Sequence, residues 1–159
     1  MPQVTGLVSR LVPKLEVKTL LDIGIGDGET IASMLPHFGN PFVYGCDPDR
    51  IAELQNSQVE KAKYEESRFF GEMYDVITSF DSLACYTKPD GLAILEHMEA
   101  QAKQLVVIWT PDGYYPYPPF KSCWHADDFL NRGFCVYRAK DIHQGPPIVA
   151  SGLLAWKQI

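Results

Sequence analysis

Residues Leu20 to Thr30 read LLDIGIGDGET: an apolar run, an aspartate, and then glycines at alternate positions 24, 26 and 28. Glycines there open backbone angles closed to other residues and let a ligand approach the main chain. A strand running through such a turn into a helix is the setting of a nucleotide loop, where free amides at the helix start favour an anion. The spacing is D-x-G-x-G-x-G, not the G-x-G-x-x-G of loops that seat a dinucleotide pyrophosphate. Asp27 within the turn and Glu29 just after it oppose a pyrophosphate and tolerate a ligand carrying positive charge.

Outward from the loop, apolar strand-like runs alternate with helix-like stretches. The strands are predicted at Thr19 to Ile23, Phe42 to Cys46, Tyr74 to Ser79 and Leu105 to Trp109, with a weaker candidate near Tyr64 to Phe70. Such compact apolar runs belong to a parallel sheet covered on both faces. Ile31, Met34, Leu35 and Phe38 have the spacing of a buried helical stripe over about Glu29 to Phe38. A second helix is expected after Pro48, with Ile51 and Leu54. A third follows KPDG with Leu92, Leu95, Met98 and Ala102, and a short one over Ala126 to Arg132 stops at Gly133. Phe134 to Ala139 and Val149 to Trp156 are separated only by KDIHQGPP, so they are expected to pair as an antiparallel hairpin.

The chain has 159 residues, 46% of them apolar, with a net charge of −6. That length suits one domain over residues 1–159, and the acidic balance excludes a broad nucleic-acid surface. No apolar run approaches a membrane span and the N-terminus lacks a signal-peptide core, so a soluble cytoplasmic protein is expected. Cys46, Cys85, Cys123 and Cys135 are widely spaced and read as reduced thiols. Cys123 and His125 could supply two metal ligands, but no further ligands are visible and no metal is expected.

The glycine pattern resembles the first motif of the class I S-adenosylmethionine-dependent methyltransferases. VYGCDPD, ending a strand at Asp47, is similar to the family's second signature, YDVITSFDSL to its fourth strand and LVVIWTPDG to its fifth. WHADDFLNRGFCV resembles the entry to its reversed final strand. The resemblance implies a Rossmann-like α/β fold: a mainly parallel sheet of seven, or six, strands, helices on both faces and a C-terminal antiparallel hairpin. It implies S-adenosyl-L-methionine as cofactor. Gly24, Gly26 and Gly28 would let the backbone approach the methionine and ribose portions, with Asp22 anchoring the loop or the ammonium through water. Asp47 would take the ribose hydroxyls, and Phe80 and Asp81 would lie beside the methionine tail. The family's third strand usually ends in an acid that meets the adenine amino group. Between Asp47 and Tyr74 no convincing strand is visible, and Glu65 or Glu66 is the available acid.

Two loops at the carboxyl ends of the strands, FDSLACYTKPDG and TPDGYYPYPPFKSCWH, are where an acceptor would sit. The second gathers Tyr114, Tyr115, Tyr117, Phe120 and Trp124 among four prolines, which suits either an acceptor wall with cation–π contacts or a stiff cover for the sheet end. His125, Asp81 and Tyr115 are the catalytic candidates. His37, His97 and His143 have no partner motif. With no large insertion, either a small acceptor is covered by the aromatic loop or a partner protein completes the site; oligomeric state stays open. Two further readings are a non-catalytic interaction module on this fold and an NAD-dependent oxidoreductase, which fits the glycine spacing and final hairpin poorly.

Overall fold

A computed structural model describes residues 2–145 and 148–159, with side chains described for 3–140 and 150–159. Strands β1 (Thr19–Ile23) and β2 (Phe42–Cys46) have the predicted bounds and pair in parallel, Thr19 opposite Phe42 and Ile23 opposite Cys46. Strand β4 (Tyr74–Phe80) lies parallel to β1 on its other side, and β5 (Ala102–Pro111) parallel to β4. The predicted hairpin is present but longer: β6 (Cys135–Gly145) and β7 (Ile148–Gln158) pair antiparallel, with β7 inserted antiparallel beside β5. Of the expected KDIHQGPP connection, Pro146 and Pro147 lie outside the described residues.

The third strand corrects the sequence reading. It is β3 (Ser57–Glu60), parallel to β2, which completes a seven-stranded sheet in the order β3-β2-β1-β4-β5-β7-β6. Its residues SQVE carry little apolar signal because an edge strand needs little. Tyr64 to Phe70 is not a strand: Tyr64–Glu66 forms a 3-10 turn, and Phe69 packs into the core beside Tyr44.

The central strands are buried on both faces. Leu105, Val107 and Trp109 of β5 join a core with Leu20, Val76 and Leu154, whereas Val106 and Ile108 join one with Leu21, Ile77 and Leu153. The first core is covered by α1 (Pro2–Leu11) and α2 (Glu29–Met34), the second by α3 (Lys88–Gln101) and α4 (Ala126–Leu130). Helix α1 was not anticipated, although Val4, Leu7, Val8 and Leu11 follow the stripe spacing and the first three are buried. Helix α2 tightens into a 3-10 turn over Leu35–Phe38, the remainder of the predicted helix. Helix α3 begins earlier than expected because Thr87 caps it, accepting the Asp90 amide. It ends before Ala102, which belongs to β5.

No helix follows Pro48. Asp47 Oδ1 accepts the amides of Asp49 and Arg50 at 2.9 and 3.0 Å, a local turn that competes with helical hydrogen bonding. Beyond it Ile51 is exposed, and Ala52 and Leu54 lie beneath the glycine loop, within contact distance of a Cβ at Gly28. Among the described residues, no helix is long and apolar enough to cross a membrane.

Candidate functional site

The loop after β1 is held by its own hydrogen bonds. The amides of Gly24 and Ile25 donate to the Cys46 carbonyl, that of Gly26 to Asp47 Oδ2 at 3.1 Å, and that of Gly28 to the Ile25 carbonyl. Asp27 Oδ1 accepts the Glu29 amide at 3.1 Å. Two of the amides expected to face an anion, those of Gly26 and Glu29, are thus taken by the carboxylates of Asp47 and Asp27. All three glycines have positive φ, 78°, 59° and 82°. They differ in what surrounds them. A side chain at Gly24 would run into Ser82 and one at Gly28 would press on Leu54, but nothing lies within 4 Å of a Cβ at Gly26.

A cavity of about 370 Å³ lies at the carboxyl ends of β1, β2 and β4; of the three glycines its lining includes Gly24 and not Gly26 or Gly28. Gly24, Asp47, Pro48 and Asp49 form one side, and Phe80, Asp81, Ser82 and Cys85 the floor. Tyr86, Thr87 and Asp90 come from the entry to α3, Lys63 and Glu65 from the segment after β3, and Pro119 and Lys121 from the aromatic loop. Acids outnumber bases in this lining, which favours a cationic occupant.

Of the expected binding residues, Gly24, Asp47, Phe80 and Asp81 line the cavity. Asp47 takes three backbone amides, two on Oδ1 and one on Oδ2, which leaves an acceptor position on Oδ2 for a hydroxyl donor. Asp22 is buried away from the lining. Its Oδ1 accepts the Thr78 hydroxyl at 2.6 Å, tying β1 to β4 under the loop. Burial pushes its pKa up to about 7, against the lowering effect of Thr78 and with a further rise from Asp47. Asp81 also sits at a pKa of about 7 because it is buried. It stands at the end of β4 with φ 59°, its amide bonded to the Trp109 carbonyl at 2.8 Å. A non-glycine residue held left-handed beside a cavity carries backbone strain, and such strain collects at functional sites.

Glu65 lines the cavity, whereas Glu66 is not part of the lining. The acid that ends β3, Glu60, points its carboxylate to Arg68, whose amide and Nε lie at 3.2 and 3.4 Å.

The other catalytic candidates stand elsewhere. Tyr115 lies in a second hollow, of about 280 Å³, formed by the segment 114–121. His125 lines neither space. It caps α4, its Nδ1 3.7 Å from Asp112 Oδ1, while Asp112 Oδ2 meets Arg138 Nε at 2.5 Å. Among the described residues, no three His, Cys, Asp or Glu side chains gather as a metal site. Trp124 is not an acceptor-wall residue either. It is fully buried, stacked on Phe129, with the Lys88 ammonium 3.9 Å above its ring.

Sequence reasoning singled out the loop after β4 but not Ser82, Cys85, Tyr86 and Thr87 within it, nor Lys63 and Lys121. None carries a motif. The only signal was position, at the carboxyl end of a parallel strand.

The strand order, with β7 reversed between β5 and β6, fixes the comparison with known proteins. Residues 2–144 match the family model described as a methyltransferase domain. The chain belongs to this methyltransferase family. An O-methyltransferase family protein from Burkholderia thailandensis has a similar fold, with a TM-score of 0.64 at 13% identity over 97% of this chain. This chain spans only 55% of that protein. Magnesium protoporphyrin IX methyltransferase from Synechocystis PCC 6803, solved with SAH bound, aligns over 98% of this chain and 81% of its own, at TM-score 0.62 and 14% identity. A cyclopropane synthase from Mycobacterium tuberculosis aligns over 87% and 62%, at TM-score 0.65 and 15% identity. This chain has no α-helix between β2 and β3 and only a 3-10 turn between β3 and β4.

Proposed function

We propose that this chain is an S-adenosylmethionine-dependent methyltransferase acting on a small molecule or an exposed group. The observation that carries the reading is the cavity lined by Gly24, Asp47, Phe80 and Asp81, in which acids outnumber bases, with Asp47 also holding the amide of Gly26, where a Cβ would meet no protein atom. A cavity of about 370 Å³ falls within the usual size range of small-ligand sites. Its acids suit a sulfonium and an ammonium, and the remaining acceptor position on Asp47 suits a ribose hydroxyl. Glu65, which lines the cavity from the segment after β3, is the acid we assign to an adenine amino group.

When bound, S-adenosylmethionine supplies a methyl whose C–S bonding electrons return to sulfur as the acceptor's lone pair forms the new bond. The protein's task is then mainly positioning. Phe80 and the strained turn at Asp81 would lie beside the methionine tail and hold it in place. Asp81, titrating near neutrality, is the cavity group suited to take the proton of a hydroxyl acceptor.

The test is ligand-induced thermal stabilisation. S-adenosylmethionine and S-adenosylhomocysteine are expected to raise Tm by mass action, and nicotinamide dinucleotides are not. No shift with either sulfur ligand at millimolar concentration would overturn the reading. The short stretch from β2 to β4, with no α-helix in it, favours a second reading, a non-catalytic module completed by a partner, which turnover by the isolated chain would remove.

A further inference from the structure

The cofactor cavity and the hollow of segment 114–121 share two lining residues, Pro119 and Lys121. The hollow is walled by aromatic rings: Tyr115 meets Tyr117 at 5.0 Å and Phe120 at 5.4 Å between centroids. Such a wall offers flat apolar faces, which fit a planar ring. Its volume of about 280 Å³ is that of a small molecule and not of a polymer segment.

Lys121 is the only Lys, Arg, His, Asp or Glu in that lining. No hydrogen bond or ion pair engages its ammonium among the described residues. Its backbone is fixed, because the amides of Lys121 and Ser122 both donate to the Ala84 carbonyl, at 2.8 and 3.1 Å, in the loop after β4. The ammonium lies close enough to Cys85, in the floor of the first cavity, to oppose the rise that burial and Asp81 impose on that thiol. An unpaired cation at the junction of two spaces opposes an amine acceptor and attracts an anion, despite the electron-rich rings nearby.

We infer that the hollow of segment 114–121 is the acceptor subsite, and that it takes a planar aromatic acid whose carboxylate is anchored by Lys121. This rests on the cofactor reading above, since only that reading makes the neighbouring cavity the methyl donor's seat. The ring stacks among Tyr115, Tyr117 and Phe120. With the carboxylate held at the junction, it is the group that faces the donor cavity: one carboxylate oxygen would form the new bond to the methyl as the C–S bond breaks and its electrons return to sulfur, leaving a neutral methyl ester with no proton to remove and no base required of Asp81.

The experiment is calorimetric titration of the full chain, first with S-adenosylhomocysteine alone and then, in its presence, with 4-hydroxycinnamate, its neutral amide and cyclohexanecarboxylate. Saturable binding of the aromatic acid is expected, with the amide and the non-aromatic acid each weakened about tenfold or more. Lys121→Met should cost about tenfold for the acid and clearly less for S-adenosylhomocysteine, whose cavity Lys121 also lines, while Lys121→Arg should retain acid binding. Tyr115→Leu should weaken the acid and its amide alike. If S-adenosylhomocysteine binds but 4-hydroxycinnamate does not, or acid and amide bind equally, the subsite is wrong and the cofactor reading survives. If Lys121→Met weakens S-adenosylhomocysteine instead, the ammonium serves the donor and the proposal falls. If S-adenosylhomocysteine itself does not bind, the underlying cofactor reading is what fails.

Discussion

Gly24 and Ser82 bring the ends of β1 and β4 together so closely that a side chain at Gly24 would overlap the Cβ and Oγ of Ser82. This contact sets the separation between the glycine loop and the floor of the cavity. Gly24→Ala should therefore destabilise the protein by about 1–3 kcal/mol, from overpacking and from φ 78° together. Adding Ser82→Gly should recover the overpacking share and leave the conformational one. Denaturant unfolding of the two single variants and the double variant measures the coupling; strictly additive costs would reject the contact.

Gly26 has the opposite character, with open space where a Cβ would stand. Gly26→Val should cost only the left-handed conformation, about 1–2 kcal/mol, while reducing affinity for S-adenosylhomocysteine by more than about tenfold. Normal binding by a folded Gly26→Val protein would mean that the ligand does not lie over the loop.

Asp47 has a double task. Asp47→Ala should weaken ligand binding and also speed hydrogen exchange at the amides of Gly26, Asp49 and Arg50, which lose their acceptor. The fold should persist, because Asp47 is only half-buried and water can replace it. Faster exchange with unchanged affinity would leave Asp47 a loop anchor only.

Asp22 should make stability depend on pH. Its folded pKa of about 7 lies above the ordinary carboxylate value of 3.8, so the folded state holds the proton more tightly than the unfolded state. The stabilisation is complete below the unfolded pKa and is lost as pH rises through the folded one, over roughly pH 4 to 7. Asp22→Asn should flatten that slope and raise Tm at pH 8 by a few degrees, about 2–4 °C per kcal/mol, with a smaller gain at pH 5. Scanning calorimetry of both proteins across this range decides it; parallel Tm profiles would show that Asp22 is not the titrating group.

The legible parts of the fold were those buried on both faces. β1, β2 and β4 are apolar because both of their faces are packed, and this left compact runs with clear ends. β3 escaped notice for the converse reason: as an edge strand of four residues it buries little, and SQVE reads as a solvated turn. The helix expected after Pro48 failed because the Asp47 carboxylate captures the next two free amides, a competition that periodicity does not register. Helix α1 carries its signal in the spacing of Val4, Leu7, Val8 and Leu11, a local stripe of the kind that periodicity registers.

The sequence by itself determined the sheet's parallel core, the reversed hairpin, the glycine loop and the acid at the end of β2, because each is a local pattern imposed by backbone geometry and burial. Only the tertiary structure decided which glycine faces open space and which faces Ser82. It also showed that Asp22 lies beneath the site, that His125 stands outside it, and that Lys121 joins two cavities. Those are distances between segments up to about a hundred residues apart, and no local pattern encodes them.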